Sequence, residues 1–233
     1  MLLRIKYAVG DELRFLSHLD FLRLFIRVFR RAELPVAYSQ GFNPHSKISF
    51  GPPLAVGFVS SAEYLDLELT EARPLSEITE SLGKNLPKGL SIIGMQEIKG
   101  KVTSLMAIIE RASYEIKTAL IEELTEQELN EIISRFLSRS EIFVTKMTKE
   151  GPRLRQIRQG IFLLKAELMA KELVFTAELQ QDNRGVVRPE EVITALIETE
   201  NLAIDGTGLE VRRKGLYAVR ENSLLTPLEI LSK

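Results

Sequence analysis

Apolar and polar residues alternate along the first segment of the chain, LLRIKYAV. Leu3, Ile5 and Tyr7 are separated by charged or small residues, and this period of two is typical of a half-buried strand. The same reasoning predicts further strands in the first half of the chain at VAYS, LAVGFVS, EYLDLELT and LSIIGMQEI. We therefore expect a sheet that begins with the first residues.

The segment HLDFLRLFIRVFRRAEL predicts an amphipathic helix. Ser17 and Asp20 have the spacing of a capping box, and Pro35 ends the pattern because proline cannot donate the next hydrogen bond. The helical period places four apolar residues on one face, namely Leu19, Leu22, Ile26 and Phe29. It places four arginines on the other face, namely Arg23, Arg27, Arg30 and Arg31. The helix should pack through one face and present positive charge on the other.

A second helix is predicted at PLSEITESLGKNL, which gives residues 1–100 the order strand, helix, strand, strand, helix, strand. This is the order of a ferredoxin-like domain. Residues 101–233 follow a similar order, with a helix after the capping box of Thr125 and Glu128 and a hairpin that turns at Lys214-Gly215. We therefore expect an α+β protein with two tandem ferredoxin-like (βαββαβ) domains and antiparallel sheets.

The composition excludes several kinds of site. Cysteine is absent from all 233 residues, which excludes disulfides, thiolate metal sites and a Cys-ligated iron–sulfur cluster in this chain. The N-terminus is charged within four residues and has no long apolar core, unlike a signal peptide. No window approaches the roughly 18 to 20 apolar residues of a membrane helix. We expect a cytoplasmic protein with no cofactor of its own and no membrane partner.

The net charge is −1, but the charged residues are unevenly distributed along the chain. Residues 1–50 contain eight Lys or Arg and four Asp or Glu, so that the rest of the chain carries a net charge of −5. A second group of arginines lies in GPRLRQIRQG, a stretch without acidic residues. Local basic regions of this kind favour binding to a polyanion such as RNA.

The stretch YSQGFNPHSKISFGPPL follows the basic helix and contains no acidic residue. The connection at 40–53 exceeds the roughly four to six residues that usually join elements, and longer loops often carry function. Cations near such a loop would contact phosphates while its aromatic residues stack on bases. The residues predicted to bind RNA or a partner are Arg14, Arg23, Arg27, Arg30, Arg31, Tyr38, Phe42, Asn43, His45, Lys47, Phe50, Arg153, Arg155 and Arg158.

His18 and His45 are the two histidines of the chain and its weak catalytic candidates. Histidine moves protons near neutral pH, so that two of them beside a basic helix would suit metal-independent cleavage of RNA. The alternative is a local structural role for both. No His-x-x-x-His or related spacing accompanies them, and no metal site is predicted.

Several unusual segments occur together: RFLSHLD, LPVAYSQGFNPHSKISFGPPLAVG and SAEYLD. Through them the chain resembles an uncharacterised bacterial family of radical-SAM-associated (radical SAM-linked) proteins, found beside or fused to cobalamin-binding-type radical SAM proteins. The resemblance is strong over the first seventy residues and looser beyond, through ASYEI and RPEEVI. It implies a radical SAM enzyme as partner, and an RNA setting, because some members lie near genes for a ribonuclease G-type enzyme and ribosomal proteins.

The predicted tandem domains are also similar, at the level of fold alone, to the RNA-processing endonucleases of CRISPR systems. The leading hypothesis is a non-catalytic RNA-binding accessory protein that presents a structured RNA or tRNA-like substrate to a separate radical SAM enzyme. Two alternatives stay open. One is a metal-independent endoribonuclease that uses His18 or His45, and the other is a protein–protein adaptor whose aromatic loop docks the radical SAM partner.

Overall fold

The alternating apolar residues of the first segment form the buried apolar face of a strand, and Arg4 on its other face is buried as well. In the computed structural model, which describes residues 1–101 and 103–232, strand β1 spans Leu2–Val9. Leu3, Ile5 and Tyr7 are at most 5% exposed. The period-two pattern is confirmed because these side chains enter the core on the same face of the sheet.

The other strands of the described residues, in chain order, are β2 (Ile48–Phe50), β3 (Val59–Glu68), β4 (Leu90–Glu97), β5 (Arg111–Ala119), β6 (Phe143–Thr148), β7 (Gly151–Gln156), β8 (Ile161–Met169), β9 (Glu172–Asp182), β10 (Gly185–Val186), β11 (Glu210–Arg220) and β12 (Ser223–Leu225). The α-helices are α1 (His18–Arg31), α2 (Leu75–Asn85), α3 (Leu105–Ile108), α4 (Glu126–Ser138) and α5 (Pro189–Glu200). The chain is a mixed α+β protein with antiparallel strand pairing. Among residues 1–101 and 103–232, no helix combines the length and apolar character that a membrane crossing requires.

Two compact units divide the chain. The first comprises Met1–Glu110 together with Gly215–Lys233, and the second comprises Arg111–Lys214. The sequence predicted a boundary near residue 100 and assigned everything after it to the second domain. In the structure the residues from Gly215 onward belong to the first unit, because the chain passes from the second unit to the first within β11.

In the first unit, β1 pairs with β3 on one side and with β4 on the other, and β2 pairs with the far edge of β3. Helices α1 and α2 provide the core on one face of this sheet. Phe25 is fully buried and meets Tyr7 edge-on, with ring centroids 4.9 Å apart. Ile78 and Leu82 of α2 are also fully buried.

The opposite face of the same sheet contains a buried ion pair. Arg4 is completely buried, and its guanidinium donates two hydrogen bonds of 2.8 Å to the carboxylate of Asp66, its cross-strand neighbour. A third hydrogen bond, of 3.2 Å, goes to the carbonyl of Pro227. The Arg4–Asp66 pair therefore connects β1 with β3, and Arg4 also connects them with the C-terminal segment that contains Pro227.

In the second unit, β9 pairs with β5, β8 and β10. The predicted capping box is confirmed, because the amide of Thr125 donates to the carboxylate of Glu128 and the amide of Glu128 donates to the hydroxyl of Thr125. At the end of α5, Glu200 accepts hydrogen bonds from Arg135 and Arg139 of the α4 region. Burial alone would raise the pKa of Glu200, but these two guanidinium groups outweigh burial and hold the pKa below its ordinary value.

Several sequence predictions for individual elements were wrong. VAYS forms isolated bridges, Val36 with Leu69 and Tyr38 with Ser46, rather than a strand. The strand lies further on, at β2 inside the predicted loop, where residues 48 and 50 pack against the core. LAVGFVS and EYLDLELT do not form two strands, because Gly57 turns with a φ of +93° and one strand, β3, follows.

The hairpin predicted at Lys214-Gly215 is also wrong, since β11 continues through it. The turn comes later, at Glu221 and Asn222, which adopt φ values of 48° and 64°. Gly215 serves another purpose. A Cβ atom there would lie 2.0 Å from the hydroxyl oxygen of Tyr217, so this glycine makes room for a side chain of its own strand.

Replacing Asp66 with Ala should lower the free energy of unfolding by about 3–5 kcal/mol, because the guanidinium of Arg4 stays buried without its carboxylate. The double replacement Arg4→Met with Asp66→Leu should recover most of that loss, since an apolar pair has no charge to desolvate. Urea unfolding monitored by circular dichroism measures both.

The matched control is Glu80→Ala, which breaks the exposed pair that Glu80 forms with Lys84 at 2.7 Å. This control should cost less than about 1 kcal/mol. A double variant as unstable as Asp66→Ala would contradict the assignment of the loss to an unpaired buried charge.

Candidate nucleic-acid interface

Helix α1 packs on the sheet through one face, and its other face is exposed to solvent. Ser17 caps it, accepting a hydrogen bond from the amide of Asp20, as the sequence predicted. The buried residues are Phe21, Phe25, Val28 and Phe29. The predicted apolar face was only partly right, because Leu19 is 60% exposed. It lies in the first turn and points away from the core.

The arginines of α1 are exposed, as the sequence predicted. Arg23 forms an ion pair with Asp20 at 3.2 Å. The hydrogen bond from the Ser17 hydroxyl, assisted by Arg23, holds the pKa of Asp20 below its ordinary value, so that this carboxylate stays charged and offsets Arg23. Within the described residues, no carboxylate pairs with the three remaining arginines. We call them the arginine face: Arg27, Arg30 and Arg31.

Residues 38–50, which we call the aromatic loop, are held at both ends by backbone hydrogen bonds. The amide of Ser39 donates to the carbonyl of His45 at 2.8 Å, and the amide of Lys47 donates to the carbonyl of Ala37 at 2.8 Å. The Lys47 ammonium also pairs with Glu68 at 2.9 Å. These contacts hold the base of the aromatic loop in place, and residues 39–45 form its tip.

The aromatic residues of this loop divide into exposed and packed ones. Phe42 is fully exposed and Tyr38 is 53% exposed, and Asn43 and His45 are exposed beside them. Phe50 instead packs against the core, with its ring centroid 5.7 Å from that of Phe25. Of the aromatic residues predicted to stack on bases, Tyr38 and Phe42 have accessible rings, whereas Phe50 helps to hold the loop.

The second basic cluster is largely engaged within the protein. Arg155 donates to the carbonyl of Val186 and to the carboxylate of Glu191. Arg158 donates to two backbone carbonyls, those of Leu137 and Ile161. Arg153 is exposed but is paired with Glu150. Arg155 and Arg158 stabilise the second unit. The sequence did not reveal their partners, because these are backbone carbonyls or, for Arg155, the distant carboxylate of Glu191.

Arg14 and His18 each contact an aromatic ring of the first unit. Arg14 pairs with Asp11 at 3.4 Å and lies over the ring of Phe15, 4.8 Å from its centroid. The His18 ring meets Phe50 edge-on at 5.3 Å. Neither imidazole of the chain's two histidines is hydrogen-bonded to another described residue. Among residues 1–101 and 103–232, no three His, Asp or Glu side chains form a potential metal site.

A cavity of about 240 Å³ lies between α1 and the aromatic loop. We call it the α1 cavity. Ile26, Phe29 and Arg30 line it from the helix, and Tyr38 and Ser46 line it from the loop. Sequence reasoning did not single out Ser46 or the cavity, because Ser46 carries no charge and its position opposite α1 depends on the bridge to Tyr38.

A family model matches residues 2–189, about four fifths of the chain. Its description is an uncharacterized protein conserved in bacteria, DUF2344. The chain belongs to this family. No curated protein is significantly similar to the chain in sequence.

Among solved structures, the chain is similar to one chain of the crystal structure of a Cbf5–Nop10–Gar1 complex, with a TM-score of 0.54 and 11% identity over 97% of this chain and 54% of that one. It also matches a chain of an H/ACA RNP bound to a substrate RNA containing 2'-deoxyuridine, with a TM-score of 0.48 and 10% identity over 93% and 47% of the two chains. The DUF2344 chain thus spans about half the length of these matches. At such identity the first match shows a shared fold and nothing more.

The exposed Phe42 and the packed Phe50 should contribute very differently to the stability of the protein. Phe42→Ala should leave the free energy of unfolding within about 0.5 kcal/mol of the parent, because Phe42 has no contacts to lose. Phe50→Ala should lower it by about 2 kcal/mol or more, because its ring packs on Phe25 and the core. Urea unfolding measures the difference, and equal effects at the two positions would contradict the packing described for the loop.

Proposed function

We propose that this DUF2344 protein is a non-catalytic RNA-binding accessory protein. The observation that carries the proposal is the position of the arginine face beside an aromatic loop with a fully exposed ring at Phe42. Unpaired guanidinium groups attract phosphates, and each phosphate contact releases counterions. Exposed aromatic rings stack on unpaired bases without regard to sequence. Together the two features suit a single-stranded or loop region of a structured RNA.

The charge distribution supports the same surface. An ordinary solvated helix face pairs its basic residues with acidic ones at a spacing of three or four. On α1 only Arg23 has such a partner, while the arginine face has none in the described part of the chain. The protein as a whole carries a net charge of −1, so this concentration of unpaired positive charge does not follow from its composition.

We further propose that each unit is a ferredoxin-like domain. In the first unit β1, α1, β2, β3, α2 and β4 follow one another, and the strands have the spatial order β4-β1-β3-β2. In the second unit β5, α4, β8, β9, α5 and β11 follow the same order, with β8-β9-β5-β11 as neighbours. The hairpin of β6 and β7 would then be an insertion after α4.

The proposed partner is a separate radical SAM enzyme. The motifs RFLSHLD, GFNPHSKISFGP and SAEYLD support this partner through the resemblance to radical SAM-linked proteins. A radical SAM enzyme needs an iron–sulfur cluster with cysteine ligands, and this chain has no cysteine. The chemistry would therefore belong to the partner, and the DUF2344 protein would hold the RNA.

Replacing Arg27, Arg30 and Arg31 together with Ala should weaken binding to a tRNA-sized RNA by at least roughly tenfold at about 100 mM salt, because three phosphate contacts are lost. Alanine maintains the helix, so the fold should persist. Filter binding over a range of salt concentrations measures the affinity.

The control variant replaces three exposed lysines of the same unit, Lys84, Lys88 and Lys99, with Ala. It changes the net charge by the same amount and should retain most of the affinity. Absence of RNA binding by the parent protein, or binding that does not depend on salt, would overturn the proposal. Cleavage of the RNA by the purified protein, abolished by His45→Ala, would favour the endoribonuclease alternative.

The partnership is tested by co-expression with a radical SAM protein from the same genome, followed by affinity purification before and after ribonuclease treatment. We expect co-purification that ribonuclease weakens, together with the visible absorbance of an iron–sulfur cluster in the complex. Co-purification that resists ribonuclease and survives loss of the arginine face would instead favour the protein–protein adaptor. Absence of the enzyme from both samples would contradict the partnership.

A further inference from the structure

The α1 cavity is lined by both apolar and polar side chains. Six apolar residues line it, namely Ile26, Phe29, Leu34, Pro35, Val36 and Ile48. Three polar residues complete it, namely Arg30, Tyr38 and Ser46. This is the composition of a small-ligand site, in which apolar walls bury the ligand and a few polar groups orient it.

The volume of the cavity limits the size of the ligand. At about 240 Å³ it is smaller than the range of roughly 300–1,000 Å³ typical of sites for drug-sized ligands. A whole nucleotide cofactor would not be enclosed. A single planar ring system would fit, with the rest of its molecule outside.

The polar groups of the lining are available for a ligand. Within the described residues, the Tyr38 hydroxyl, the Ser46 hydroxyl and the Arg30 guanidinium have no hydrogen bond or ion pair. Tyr38 is also 53% exposed, so its ring can contact an incoming ring face. The remaining members of the arginine face, Arg27 and Arg31, lie on the same helix as Arg30 and would attract phosphates.

We propose that the α1 cavity binds one unstacked nucleobase of an RNA strand, with the adjoining phosphate on Arg30. This inference rests on the proposed RNA binding and adds a specific site to it. A base has apolar faces for the lining and hydrogen-bonding edges for Tyr38 and Ser46, and taking it out of a stack is least costly in single-stranded RNA. An apolar side chain of a partner protein would fill the same volume but would leave the positive charge of Arg30 unused.

The test compares two probes of equal charge, an oligouridylate of about ten nucleotides and an abasic strand of the same length. The parent protein should bind the oligouridylate about tenfold more tightly than the abasic strand. Ile26→Phe, which fills the cavity, should remove most of this preference, leaving the part that stacking on Phe42 supplies, and should not change the affinity for the abasic strand. Tyr38→Ala should have the same selective effect.

The matched control is Leu19→Phe, which adds the same ring to an exposed position of the same helix outside the cavity. It should bind both probes like the parent. Equal binding of the two probes by the parent, with normal salt dependence, would overturn the base site and leave RNA binding intact. Ile26→Phe protein that folds and retains full discrimination would also overturn it, and would leave the cavity to a partner side chain. Failure to bind either probe would contradict the proposed function itself.

Discussion

The buried guanidinium of Arg4 is the constraint on which the first unit depends. A charge with no exposed surface is costly unless it is paired and hydrogen-bonded, and Arg4 is paired with Asp66 and donates to the carbonyl of Pro227. The first contact fixes the register of β1 against β3. The second requires the last residues of the chain to return to the unit in which the chain began.

The proposed RNA surface follows from this sheet. Arg4 points to one face of the sheet. Ile5 and Tyr7, which alternate with it along β1, therefore point to the other face, where α1 packs through Phe25. Packing that uses one side of α1 leaves the arginine face outside. Phe50 adds a second contact with Phe25 and so connects the base of the aromatic loop to the same core. Apolar packing thereby places Arg30 of the arginine face beside Tyr38 of the aromatic loop.

The sequence predicted the elements and caps whose interacting residues lie close together along the chain. The alternation around Ile5, the Ser17 cap and the capping box of Thr125 were predictable because partners lie within a few residues. The sequence did not predict which basic residues are engaged, since Arg158 donates to the carbonyl of Leu137, 21 residues away. It also misplaced the turn near Gly215, where the glycine is needed for side-chain space rather than for a turn.

Photo-crosslinking of uridine-containing RNA to the DUF2344 protein, followed by mass spectrometry of the crosslinked peptides, tests the central claim most directly. The account predicts crosslinks at Tyr38 and Phe42, because both rings are exposed on the aromatic loop and Tyr38 lies beside Arg30 of the arginine face. These crosslinks should disappear in the variant that lacks the arginine face. Crosslinks confined to the β6–β7 hairpin around Arg153, with none in the aromatic loop, would contradict the account.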